Sequence, residues 1–150
     1  LARAATGDPD LRSALLSAYR ELDCYGEVPE VLAALRASGS PIAILSNGSP
    51  EMLKSAVRSA GLAGLVDAIL SVDPVSRFKT VPETYAMVTG HFGCRPGEVA
   101  FQSSNRWDIA GARAFGFRCN WINRAGMPDE YGDLPPDAVL SDLRGLLGAQ

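Results

Sequence analysis

Five short apolar runs are strung along the chain: "PIAIL" (41–45), "AILS" (68–71), "EVAF" (98–101), "FRCNWI" (117–122) and "AVL" (138–140). Continuous apolar runs of this length, bounded by turn signals, read as buried parallel strands. The stretches between them have a different period. "EMLKSAVRSAG" opens behind Pro50 and closes at Gly61, "VPETYAMVTGHFG" has Pro82 in its first turn, and "WDIAGARAFG" and "SDLRGLLGA" continue the series. Proline at the start and glycine at the end are the punctuation of helices. Strand–helix alternation at this spacing predicts an α/β fold, a Rossmann-like, doubly wound parallel sheet with helices on both faces. Two helical segments precede the first strand. "DPDLRSALLSAYREL" places Leu11, Leu15, Leu16, Tyr19 and Leu22 on one stripe with Asp8 or Asp10 as a cap, and "VPEVLAALRASG" stops at Gly39. The stretch 123–137, "NRAGMPDEYGDLPPD", reads as a surface loop.

Composition removes several classes of function. A chain of 150 residues with 47% hydrophobic and 21% charged residues has material for one globular core. A net charge of −3 with no Lys/Arg cluster gives no footprint for nucleic acid. No apolar run reaches transmembrane length, so no membrane partner is expected, and no secretory signal pattern is present. Cys24, Cys94 and Cys119 are widely spaced and form no C-x-x-C pair, which favours neither a metal knuckle nor a disulfide framework. They read as buried or incidental thiols in a reducing cytoplasm. The chain begins at Leu1 and runs straight into a helical pattern, which suggests a piece of a longer polypeptide.

In open parallel sheets ligands bind at the carboxyl ends of the strands. That rule selects three polar turns, Ser46–Pro50, Val72–Thr80 and Gln102–Asp108, consistent with one shared site. Ser46-Asn47-Gly48 offers a hydroxyl, an amide and backbone N–H groups beside a helix start, although Asn-Gly is also a common turn dipeptide. Lys79 can hold a carboxylate nucleophile ionised, with Arg77 a weaker candidate; the plain alternative is a solvated surface lysine. In "QSSNRWD" (102–108) Asp108 is preceded by hydroxyls and an amide rather than a second acid. Magnesium sites want several hard oxygen ligands, and this segment makes a poor cage. Trp107 suits either a pocket wall or ordinary core packing. His91, the single histidine, sits at the far end of its helix from the three turns, which argues against a Ser-His-Asp triad.

"AILSNGSP", "LSVDPV…FK…P…Y", "SSNRWDIAGARAFGF" and "WINRAG", in this order, resemble the haloacid dehalogenase superfamily and within it the L-2-haloacid dehalogenases. The resemblance implies hydrolysis of short (S)-2-haloalkanoic acids to (R)-2-hydroxy acids without metal or other cofactor. An aspartate displaces halide from C2, and water cleaves the resulting ester. Ser46 and Asn47 match substrate-carboxylate positions, Lys79 the lysine that pairs with the nucleophile, and Tyr85 a tyrosine supporting that lysine region. Ser103, Asn105 and Asp108 match the group that orients the nucleophile and helps activate water, with Trp107 lining the pocket. "KTVP" stands where many relatives have Lys-Pro-Asp. The family's Asp-x-Tyr-Gly-Thr nucleophile strand is absent; "DCYGEV" (23–28) precedes a helix and reads as a hinge re-entering the core. Residues 1–22 are then expected to be the end of a helical cap, and residues 23–150 a core lacking its first strand, with the nucleophile upstream and the 150 residues inactive alone. The competing readings are a magnesium-dependent phosphatase of the same superfamily, and a truncated domain that only binds a partner or contributes to a homodimer.

Overall fold

The computed structural model describes residues 9–148. The Asp8 cap and residues 1–8 of the expected cap remnant lie outside the described residues. In chain order the helices are α1 (Pro9–Ala18), α2 (Val28–Ala37), α3 (Pro50–Ser59), α4 (Pro82–Phe92) and α5 (Arg106–Phe115). The strands are β1 (Ala43–Ser46), β2 (Ala68–Ser71), β3 (Ala100–Ser103), β4 (Arg118–Ile122) and β5 (Ala138–Leu140). Short 3₁₀ turns occupy Asp73–Val75, Pro96–Glu98 and Leu143–Gly148.

Local chemistry sets most of these boundaries. Ser49 caps α3 by accepting a hydrogen bond from the Met52 N–H at 3.4 Å, and Pro50 follows at the first helical position. Gly39 and Gly61, just beyond α2 and α3, take φ of +83° and +70°, a left-handed turn that a side chain would resist. The expected strand 98–101 is displaced to 100–103. Pro96-Gly97-Glu98 folds into a 3₁₀ turn instead, fixed by the Glu98 carboxylate accepting from the Arg95 N–H at 2.7 Å. The expected final helix is 3₁₀ rather than α. Gly145 lies against Leu140, where a Cβ would come within 2.8 Å of the leucine, and two glycines in six residues weaken an α-helix.

All strand pairs are parallel, and helices flank them as expected. The sheet, however, is split: β1 pairs with β2, and β3-β4-β5 form a separate three-stranded sheet. The two AILS tetrapeptides pair residue for residue, Ala43 with Ala68 through Ser46 with Ser71. A cleft of about 860 Å³ is lined by every residue of β1 and of β3. The strand at "PIAIL", expected to be buried, is therefore only half-buried along its whole length, because its free edge faces this cleft.

The main core lies on the three-stranded side. Tyr85, Val88, Phe101, Ile109, Ala112, Phe117, Cys119 and Trp121 form one cluster, with Leu45 and Leu70 reaching it from the other half. Phe117 meets Phe115 edge-on at 5.1 Å and Tyr85 edge-on at 5.9 Å, the geometry that ring quadrupoles favour. Fully burying one such ring contributes about 2–3 kcal/mol. Cys119 is sealed in this core, and burial pushes its thiol up to about 12, so it is unreactive. Leu11 and Leu15 of α1, and Tyr19 and Leu22 beyond it, are exposed. Among the described residues no helix is long and apolar enough to cross a membrane.

Candidate active site

The carboxyl ends of β1 and β3 open onto the same cleft, and the turns that follow them meet there. Ser46, Lys79, Ser103, Asn105 and Asp108 all line it. Asp108 lies in the first turn of α5 with a side chain only 4% exposed. The Lys79 ammonium donates to one of its carboxylate oxygens at 2.9 Å, and the Tyr85 hydroxyl donates to the other at 2.9 Å. The Tyr85 hydroxyl also lies 3.2 Å from the Asp108 carbonyl oxygen. Tyr85 was expected to support the lysine; the structure sets its hydroxyl on the lysine's partner. Burial, and then the Asp108 charge beside it, push the Tyr85 phenol far above its ordinary value of 10.

Lys79 is held at both ends. Its backbone N–H donates to the Asn47 side-chain oxygen at 3.0 Å, and its ammonium lies 5.2 Å from the centre of the Phe101 ring. Asn47 thus ties the turn after β1 to the segment after β2. Ser71 strengthens the tie by donating its hydroxyl to the Gly48 carbonyl at 2.8 Å. The Ser46 hydroxyl accepts from the Gly48 N–H at 3.2 Å, and the Ser103 hydroxyl accepts from the Asn105 N–H at 3.1 Å. Each serine bends its own turn so that the backbone enters the next helix.

Trp107 stands apart from this group. It is 40% exposed and lines a second cavity of about 500 Å³ with Thr80, Gly111, Phe115 and Tyr131. His91 lies in the last turn of α4, as expected, and Arg77 is exposed. Two features had no local signal in the sequence. Arg106 is buried and ties the 123–137 loop down, with a two-pronged ion pair to Asp129 and hydrogen bonds to the carbonyls of Tyr131 and Leu134. Arg124 pairs with the buried Glu27 and stacks on Tyr25 at 3.8 Å, fastening the segment between α1 and α2 to the end of β4.

The broad superfamily's magnesium has no adequate donor set here. Both oxygens of Asp108 are already engaged by a cation and a phenol, and the neighbours are hydroxyls and an amide. Among the described residues no three His, Cys, Asp or Glu side chains converge on one point. The arrangement instead pairs one buried carboxylate with an ammonium and can place that ammonium beside any second acid that enters the cleft.

Residues 5–116 match the haloacid dehalogenase-like hydrolase family. The chain is 44% identical over 137 residues to (S)-2-haloacid dehalogenase 1 of Pseudomonas sp. strain CBS-3, covering 91% of this chain and 60% of that protein. It is 42% identical over 136 residues to (S)-2-haloacid dehalogenase 4A of Burkholderia cepacia, covering 91% of this chain and 59% of that protein. A crystallised dehalogenase superposes with a TM-score of 0.91 at 39% identity, over 94% of this chain and 62% of that one. The chain thus spans about three fifths of the length of the curated relatives it matches. Motif order, strand topology and these matches converge, and the chain belongs to the haloacid dehalogenase-like hydrolases.

Proposed function

We propose that this chain supplies the Lys79–Asp108–Tyr85 half of a site that hydrolyses (S)-2-haloalkanoic acids to (R)-2-hydroxy acids. The observation that carries this reading is the cleft between β1 and β3. It is walled by two free parallel strand edges and ends at the one buried carboxylate–ammonium pair of the site. A strand entering the cleft pairs with both edges, and an aspartate at its carboxyl end reaches the Lys79 ammonium. We place the nucleophile there, on a segment upstream of this chain.

That carboxylate attacks C2, the carbon–halogen bond breaks with inversion, and halide leaves with the bonding pair. Water then adds to the carboxyl carbon of the enzyme ester and gives up a proton; the carbon–oxygen bond to the enzyme breaks, releasing the hydroxy acid. Asp108 takes that proton, held in place by Lys79 on one oxygen and Tyr85 on the other. Ser46 and Asn47 receive the substrate carboxylate, and Ser103 and Asn105 orient the nucleophile. No step needs a metal, and the donor set described above counts against the magnesium phosphatase reading. Residues 9–22 belong to a helical cap in this reading, which accounts for the exposed stripe of α1.

The test is chloride release from each enantiomer of 2-chloropropionate in EDTA. It is run on the 150-residue chain and on a version extended by the upstream coding sequence. Chloride from the extended version alone, and from the S enantiomer, is expected. Phosphate release that EDTA abolishes would replace this reading by the phosphatase. Chloride from the 150-residue chain would place the nucleophile within it.

A further inference from the structure

Glycine is a poor residue for the middle of a helix, and Gly111 sits in the middle of α5, where alanine has the better propensity. The reason lies one turn from Asp108. A Cβ at Gly111 would fall 2.6 Å from the Tyr85 hydroxyl oxygen, 2.7 Å from the Thr80 Cβ and 2.9 Å from the Thr80 Cγ2. No real Cβ tolerates such contacts, and neither neighbour is a loose chain end. Tyr85 is completely buried between Phe101, Phe115 and Phe117, and the Thr80 Cβ is fixed to the backbone.

The two groups that fill this gap govern both oxygens of one carboxylate. Tyr85 donates to one oxygen of Asp108, while Thr80 directly follows Lys79, which donates to the other. We infer that Gly111 is the positioning residue of the site: its missing side chain lets Tyr85 and the Lys79–Thr80 segment close on Asp108 together. A methyl group there pushes the phenol and the lysine segment apart. The core bordering Tyr85 is too dense for the ring to retreat. The inference rests on the functional reading only in treating Asp108 as a working group, and its test needs no turnover.

The chain contains two lysines, Lys54 and Lys79, so ¹⁵N-lysine labelling gives a simple ammonium spectrum. The Lys79 side chain is only 9% exposed and ion-paired, so its ammonium protons exchange slowly with water. In Gly111→Ala, with the fold checked by circular dichroism, the Lys79 ammonium is expected to exchange about tenfold faster. Gly111→Ala/Thr80→Gly, which deletes both clashing Thr80 atoms and lets the new methyl move off Tyr85 into the space they vacate, is expected to recover most of the protection. A folded Gly111→Ala chain with unchanged Lys79 exchange overturns the inference, because the glycine is then only a packing accommodation. If Gly111→Ala does not fold, the double variant is decisive: restored folding with a protected Lys79 ammonium supports the inference. A folded double variant with fast exchange overturns it. Failure of both variants to fold also overturns it, since the glycine then serves the whole core rather than the ion pair.

Discussion

The two halves of the split sheet are built from similar material and end up differently. β1 and β2 have the same sequence, AILS, yet every residue of β1 is half-buried, whereas Ala68 and Ser71 at the ends of β2 are buried. On the other side, β4 buries Cys119, Trp121 and Ile122, and α4 and α5 close over it with Tyr85, Val88 and Ile109. Apolar sequence alone does not produce a core: the free edge of β1 faces the cleft, whereas β2 lies away from it and keeps both ends buried. The three-stranded half is a finished core, while the two-stranded half is finished only away from the cleft. What joins them is partly polar: the Asn47 contact to Lys79 and the Lys79–Asp108 pair run from the ends of one half to the other.

Truncation experiments break or sharpen this contrast. Phe117→Ala, at a residue 1% exposed, is expected to cost about 4 kcal/mol in urea unfolding. Ile44→Ala beside the cleft is expected to cost about 1 kcal/mol. Equal losses would mean the two halves are equally packed. Lys79→Met tests the join, because it leaves the Asp108 carboxylate buried without its cation. A loss of about 3 kcal/mol is expected by the same measurement. A loss below that of Ile44→Ala would remove the ion pair as a link between halves.

Tyr85→Phe should cost about 1 kcal/mol at neutral pH, the value of a hydrogen bond whose acceptor keeps another donor. Its pH signature is sharper. The phenol's folded pKa is raised, so the native state stays protonated while the unfolded tyrosine ionises near 10. Stability contributed below that pH is lost as pH rises above it. The alkaline limb of a stability–pH curve should therefore be shallower in Tyr85→Phe. Smallest is Glu27→Gln. The Arg124 guanidinium bonded to Glu27 holds its carboxyl below the ordinary 4.5, so its contribution is present above 4.5 and lost as pH falls below it. The acid limb of the same curve should flatten in the variant.

Much of the fold was legible because its signals are local. The run at 68–71 is bounded on both sides and became β2 without a shift, and Pro50 and Gly61 framed α3. β3 slipped by two residues because Pro96-Gly97-Glu98 closes on itself through Arg95, an exchange that strand periodicity does not register. The break in the sheet depends on which strands find partners, and "PIAIL" looks the same with one neighbour or two. At the site, Asp108 stood out from its own surroundings in sequence, but Lys79 needed the family resemblance to rise above a surface lysine. Tyr85 could be assigned to the region and not to the Asp108 oxygen, since 23 residues separate the two. Gly111 gave no signal at all, because the space it leaves is defined by Thr80 and Tyr85 from another segment.

The Arg124–Glu27 pair joins residues 97 positions apart. A chain leaving the ribosome cannot make this contact until β4 has emerged and Arg124 has followed it. Until then the joint between α1 and α2 has the weaker contact of the Cys24 thiol to the Ala60 carbonyl, at 3.6 Å, but not its ion pair. Contacts of such long separation close late because the intervening loop must first be ordered. The Glu27 side of that joint is therefore locked in place only after β1 to β4 have all been made.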